Sequence, residues 1–382
     1  MGTPLLRLKA LATRRQSILK KSKAVLALNV AVLALGALAI AGCGDSGDEK
    51  TEAEASTAQL APVKDYLTEH SAELVKQVGV LQEQADAYYA LAESVDFDYA
   101  RLLAEHRGEV EKLLNESKDV FVVANPAYEE MEGIVAGVPR LAHYDVDIDA
   151  GSDASTPEDA VSFTLTTPSG KQLKQPGNLF FLTETALYGT NPDLQAKGTE
   201  ADVDGDGKVE FGEGLPDADI YKATLDEFAR QAKSLDEDAQ GFEPTPSDAL
   251  TSIVVMTPTM SEYFEAWKNS RFIAGEGAEE LGFVATSRLS DIADILGGIL
   301  VTYDGIEPAI VAENPQQAKQ TRKELESLVA FASDLRDREA DGEKFDAKQA
   351  DALGAQAQAQ AETIAGQVTQ AAKQLEVELQ EG

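Results

Sequence analysis

Apolar residues recur at intervals of three and four over long stretches of this chain, and that spacing restricts it to packed helices. Leu67, Leu74, Val78, Leu81, Ala85 and Tyr88 fall on one stripe. Leu289, Ile292, Leu296, Ile299, Tyr303 and Ile306 form a second, and Leu353, Ala357, Ala361, Ile364, Val368, Ala371 and Leu375 a third. A stripe of this width is the buried face of a helix in a bundle. Strand patterns are confined to the Thr-rich residues 161–167 and the short run 253–256. Helices are expected at about 60–93, 97–123, 125–137, 177–190, 216–237, 246–271, 281–310, 315–338 and 344–379. Short connections make successive helices antiparallel, so the expected fold class is all-α, an up-down helical bundle. Two stretches interrupt it: an insertion at 144–176, rich in Asp, Ser, Thr, Pro and Gly, and residues 190–215. Long non-helical insertions in a bundle are usually functional or disordered.

The N-terminal residues have a different character. Arg7, Lys9, Arg14, Arg15, Lys20, Lys21 and Lys23 precede an apolar run over residues 24–41, which ends in Ile40, Ala41, Gly42 and Cys43. A basic segment, an apolar segment and small residues before a cut site form an export signal. The last four residues resemble the bacterial lipobox, and the resemblance implies lipidation of Cys43 after removal of residues 1–42. An uncleaved transmembrane anchor is the alternative, since 18 residues lie at the lower edge of a membrane span. Two acyl chains anchor a protein stably. Residues 43–58 read as an acidic flexible tether, and residues 59–382 as the helical domain. The location implied is the cell envelope: the periplasmic side of an outer membrane, or the extracellular face of a cytoplasmic membrane. By resemblance to lipoproteins of two-membrane bacteria, Gly44 stands where an aspartate would retain the protein at the inner membrane.

Cleavage sharpens the charge balance. Seven of the 33 Lys and Arg lie in residues 1–42, whereas all 67 Asp and Glu lie beyond them, leaving 26 against 67 and a formal charge of −41. A nucleic-acid partner is excluded, because phosphate binding needs clustered Lys and Arg. Metal cations are the natural ligands of such a surface. Cys43 is the only cysteine, so its lipidation leaves no thiol for disulfides, thiolate metal sites or nucleophilic chemistry.

Residues 202–213 read Asp-Val-Asp-Gly-Asp-Gly-Lys-Val-Glu-Phe-Gly-Glu. They match an EF-hand-type calcium loop at every ligand position. Asp202, Asp204 and Asp206 offer carboxylates at the first, third and fifth places, and Gly207 takes the sharp turn at the sixth. Lys208 supplies only its backbone carbonyl, Glu210 acts through a water, and Glu213 closes the shell as a bidentate carboxylate. Asn191, Pro192 and Gly198 interrupt an incoming helix, whereas residues 217–231 form a credible outgoing one. A single loop with irregular flanks suits a structural calcium staple more than a sensor.

Three segments resemble the imelysin/EfeO family. Tyr128, Glu129 and Glu132 are similar to its Tyr-Glu-x-x-Glu motif. Residues 179–189, Leu-Phe-Phe-Leu-Thr-Glu-Thr-Ala-Leu-Tyr-Gly, resemble its Gly-Phe-His-x-x-Glu-x-x-Leu-Trp-Gly signature. The helix from Ser290 and Asp291 through Gly298 to Pro308 is similar to its late helix, and Asp145, Asp147 and Asp149 look like its Leu-Asp-x-x-Ile-Asp stretch. The resemblance covers roughly residues 60–340. It implies two packed four-helix-type bundles, an envelope location, a link to iron uptake and an older classification among peptidases. One departure matters: Phe181 stands where the family has histidine, while Glu184 is kept. Phe cannot ligate a metal, so the implied iron site is incomplete unless His143 substitutes. Glu129, Glu132, Glu184 and His143 are therefore the candidates for a second metal site, beside the calcium loop.

Enzyme chemistry finds little support. The chain has three histidines, His70, His106 and His143. It has no His-Glu-x-x-His, no nucleophile elbow and no glycine-rich phosphate loop. Trp267, Tyr263 and Phe264 share one predicted helix and read as core. The expected function is a lipid-anchored, non-enzymatic cation binder with calcium in the loop and iron as the second candidate. The alternative is a calcium-stabilised helical scaffold that engages an envelope protein partner. A metallopeptidase ranks last.

Overall fold

A computed structural model describes residues 58–380. The export segment 1–42, Cys43 and the tether up to residue 57 lie outside the described residues. Eight long or medium helices dominate: α1 (Ala61–Ser94), α2 (Tyr99–Val135), α4 (Leu179–Leu187), α5 (Ala218–Gly241), α6 (Pro246–Met256), α9 (Arg288–Glu313), α10 (Pro315–Ala340) and α11 (Ala347–Gln374). Shorter pieces are α3 (Ala142–Asp145), α7 (Met260–Asn269) and α8 (Arg271–Ala274). The fold is an all-α bundle, as its periodicity requires.

The starts of these helices are written locally. Asp98 accepts the amide of Arg101 at the head of α2. Thr245 with Asp248, and Asp346 with Gln349, form reciprocal capping boxes on α6 and α11. The first two stripes are fully buried, from Leu67 to Tyr88 on α1 and from Leu289 to Ile306 on α9. In the third, Leu353 is only half-buried, and its neighbour Gly354 packs instead on Phe264.

Four expectations change. The separate helices at 97–123 and 125–137 are one, because α2 continues through Pro126. Proline there frees the carbonyl of Val122, which is exposed, so water can satisfy it. The helix expected over 246–271 is instead broken at Pro258, whose backbone is non-helical inside a 3-10 turn at Thr257–Thr259. Residues 253–256 belong to α6 rather than to a strand. The helix expected from 281 starts at Arg288, and residues 281–287 form an irregular segment. Of the strand patterns, β1 (Thr164–Thr166) pairs antiparallel with β2 (Gln172–Lys174) inside the insertion.

α1, α2 and α5 pack together, with α4 against α2 and α5. α9, α10, α11 and the α6–α7 segment form the second group. The groups join where α2 crosses α9. A Cβ on Gly298 of α9 would lie 2.1 Å from the Glu130 carbonyl oxygen, and one on Gly133 of α2 would lie 2.9 Å from Ile299 Cγ1. Only glycines permit this approach. It brings the polar face of α2 against the first turn of α9.

Candidate functional site

That crossing builds a buried polar cluster. Asn125, Glu129 and Glu132 are spaced four and three apart, so they share one face of α2. Asp145 ends α3, and Asp149 follows one turn later in a π-helical turn, Val146–Ala150. Arg288 and Asp291 occupy the first turn of α9, whose amides are capped by Ser287. Oxygens of Glu129, Glu132 and Asp149 all lie within 4.8 Å of one another.

Arg288 stands among these carboxylates. It reaches Asp291 at 3.0 Å, Glu129 at 3.4 Å and Asp149 at 3.8 Å. Its guanidinium lies between two rings, with Tyr263 at 4.5 Å and Phe283 at 4.6 Å. Tyr263 donates to Glu132 Oε1 at 2.8 Å, Tyr128 donates to Asp145 at 2.8 Å, and Asn125 donates to Glu129 Oε1 at 2.9 Å. Three buried polar atoms keep no protein partner: Glu132 Oε2, Asp291 Oδ1 and Arg288 Nε.

The electrostatics follow from burial. Five carboxyl groups, those of Glu129, Glu132, Asp145, Asp149 and Asp291, face one guanidinium. Burial pushes Glu129 and Asp145 well above the usual carboxylate range, and neighbouring carboxylates push them further. Burial raises Glu132 to about 7. It raises Asp291 to about 6, with Arg288 opposing the shift. Burial disfavours the charge on Arg288, yet the surrounding carboxylates hold it firmly protonated. The cluster therefore carries excess negative charge that protons or a cation must balance.

The candidates from sequence divide. Glu129 and Glu132 meet in the cluster, while Glu184 and His143 do not join it. Glu184 is buried, and its carboxylate accepts three consecutive amides: Phe283 at 2.7 Å, Val284 at 2.8 Å and Ala285 at 2.8 Å. Its buried charge needs partners, and three backbone donors supply them. Burial still lifts its pKa to about 7, with the three amides opposing the shift. His143 is exposed and stacks on Tyr144 at 4.1 Å, so it does not replace the missing family histidine. Phe181 is half-buried, packed at the edge of the core with its ring beside Gly282. Asp147 is engaged by Ser162 and Gln231. Trp267 is core, as expected, with its indole N–H on Glu339.

Sequence reading missed Arg288 and the polar role of Tyr263. The available signal was an Arg and an Asp three apart at the start of an otherwise apolar helix.

The loop at 202–213 lies apart from this cluster in the chain and is closed at its base by a bridge between Gln195 and Pro216. Carboxylate oxygens of Asp202, Asp204 and Asp206 converge within 4.8 Å. Gly205 and Gly207 hold left-handed backbone, with φ of 84° and 86°, so the chain can turn around that point. Glu213 folds back over the loop, accepting the amides of Val203 at 3.1 Å and Glu210 at 2.6 Å. Lys208 points its amine toward Asp206 at 3.6 Å. Arg107 bonds the Asp202 carbonyl, and Lys118 bonds the Gly212 carbonyl at 2.6 Å, pinning the loop to α2. The donor set is all oxygen, which fits a hard divalent cation. As expected, no regular helix enters the loop, and α5 leaves it after an Asp217 cap.

The family model described as imelysin, which also carries a peptidase M75 designation, matches residues 58–375. No curated protein matches the chain. The matched span contains α1 through α11, the buried cluster and the loop at 202–213.

Proposed function

The chain belongs to the imelysin family, and on that premise we propose that it is an exported, lipid-anchored binder of hard cations rather than an enzyme. One observation carries the reading. Three buried carboxyl groups, Glu129, Asp149 and Asp291, pair with a single guanidinium, Glu132 and Asp145 lie buried beside them, and Glu132 Oε2 and Asp291 Oδ1 remain unpartnered. Such a cluster is stabilised by a further positive charge. Glu129, Glu132 and Asp149 would hold it, since their oxygens already converge. An all-oxygen set favours hard ions, with iron the candidate the family relation supplies. Asn125 and Tyr263 orient the two glutamates for that task.

Calcium at Asp202, Asp204, Asp206, Lys208, Glu210 and Glu213 would staple residues 195–217, which otherwise have no helix or strand of their own. Lipidation at Cys43 rests on the sequence alone. The non-enzymatic reading is supported by the histidines. His70 pairs with Glu130 at 2.8 Å, His106 lies beside Glu109, and His143 is exposed, so none stands over the cluster as a base.

A second reading has its own support. Arg288 already provides a positive charge inside the cluster, as it would in a scaffold that has lost metal capture and engages an envelope partner. Anaerobic titration of ferrous iron separates the two. Capture predicts binding that weakens by more than about tenfold in the Glu129→Gln, Glu132→Gln double variant. Equal affinity in both proteins, or no iron bound by either, would sink the capture reading.

A further inference from the structure

Residues 281–286 form an irregular segment laid over the cluster, and every fixed point on it traces to a side chain. Glu184 gathers the amides of residues 283, 284 and 285 on its two oxygens. Thr190 donates to the Leu281 carbonyl at 2.7 Å. Thr286 donates to Asn125 at 2.9 Å, and Asn125 in turn donates to Glu129. The inner side of the segment carries the Phe283 ring over Arg288. Its other residues are partly exposed, except for buried Gly282.

Phe283 is held at φ 52°, in the left-handed region that an aromatic residue rarely adopts. Gly282 beside it fits because a Cβ would lie 3.3 Å from Glu184 Oε2 and 3.4 Å from the Phe181 ring. A strained backbone persists where its surroundings over-determine it. Here the determinant is one carboxylate on α4, not a regular element. The segment is thus held chiefly by Glu184, with Thr190 and Asn125 as lesser ties, beside the guanidinium.

We propose that residues 281–286 are a hinged strap controlling access to the Glu129, Glu132 and Asp149 pocket, with Glu184 as the latch that holds it closed. Glu184 is then a positioning residue: it sets Phe283 on Arg288 and never ligates the cation. With the latch engaged, the ring covers the guanidinium and excludes water. With the latch released, the strap lifts, and Arg288 and the unpartnered oxygens of Glu132 and Asp291 meet solvent.

The proposal rests on the reading of this cluster as the cation site, but its test needs no cation. Phenylglyoxal labels accessible guanidinium groups, and peptide mass spectrometry resolves the rate at each arginine of the full chain. Arg288 should label slowly in the parent protein. Glu184→Ala, which removes three charge-assisted hydrogen bonds, should speed Arg288 by at least about tenfold. Thr190→Val, a milder release, should speed it a few-fold. Arg101, exposed on α2, should keep its rate in both. The amides of 283–285 should lose hydrogen-exchange protection in the same order. An unchanged Arg288 rate in both variants overturns the proposal. So does an equal rise at Arg322 on α10, since that would mean Glu184 holds the whole domain. Failure of iron binding would sink the capture reading while leaving the Arg288 labelling result intact.

Discussion

Replacing Arg288 with methionine tests how the buried cluster is balanced. The substitution removes the charge and keeps an unbranched apolar stem. Asp291 at 3.0 Å, Glu129 at 3.4 Å and Asp149 at 3.8 Å lose their counter-charge, and their side chains are at most 7% exposed. Removing one partner of a buried ion pair costs about 3–5 kcal/mol. A domain of this size converts that to a fall in Tm of roughly 4–8 °C. The fall depends on pH, because a carboxyl group can escape the penalty by binding a proton. Without Arg288 the folded pKa values rise further above their unfolded values. The native variant then holds extra protons, and its stability declines as pH rises through the window above about 4. Thermal unfolding followed by circular dichroism should give the full loss near pH 8 and less than half of it near pH 5. The two proteins differing equally at both pH values would refute the reasoning. So would a variant as stable as the parent near pH 8.

Three other outcomes follow from the same contacts. In the parent protein burial raises Glu132, Glu184 and Asp294 to about 7 and Asp291 to about 6. All are raised carboxyls, so the native state binds more protons than the unfolded chain between about pH 4 and 7, and Tm should fall as pH rises across that range; a Tm that climbs from pH 5 to pH 7 would contradict this. Millimolar calcium should raise Tm, and Glu213→Gln should abolish the rise; a calorimetric titration without heat would remove the calcium assignment. Gly298→Ala should destabilise by about 1–3 kcal/mol, because the new methyl meets the Glu130 carbonyl at 2.1 Å; denaturant unfolding with an unchanged midpoint would show that the α2–α9 crossing tolerates separation.

Local patterns were legible because their causes are local. The helical stripes and the loop at 202–213 each depend on residues within a turn or two. The break expected at residue 124 does not form, because burial of Tyr128, Met131 and Ile134 keeps α2 continuous through Pro126. Glu184 was singled out as the acid kept from the signature its helix resembles, and its burial means that it needs partners. Those partners lie 99 to 101 residues away and are backbone amides, which no side-chain pattern advertises.

An all-α chain, an acidic loop with EF-hand spacing and a surplus of acid are all written in the order of residues, because period, spacing and charge are properties of order along the chain. Only tertiary structure decided which acids act together. Two glycines, Gly133 and Gly298, let α2 and α9 touch, and that contact places Arg288 among Glu129, Asp149 and Asp291 while leaving His143 outside. Burial then sets the chemistry, since the same carboxylates in water would need neither an arginine nor a cation.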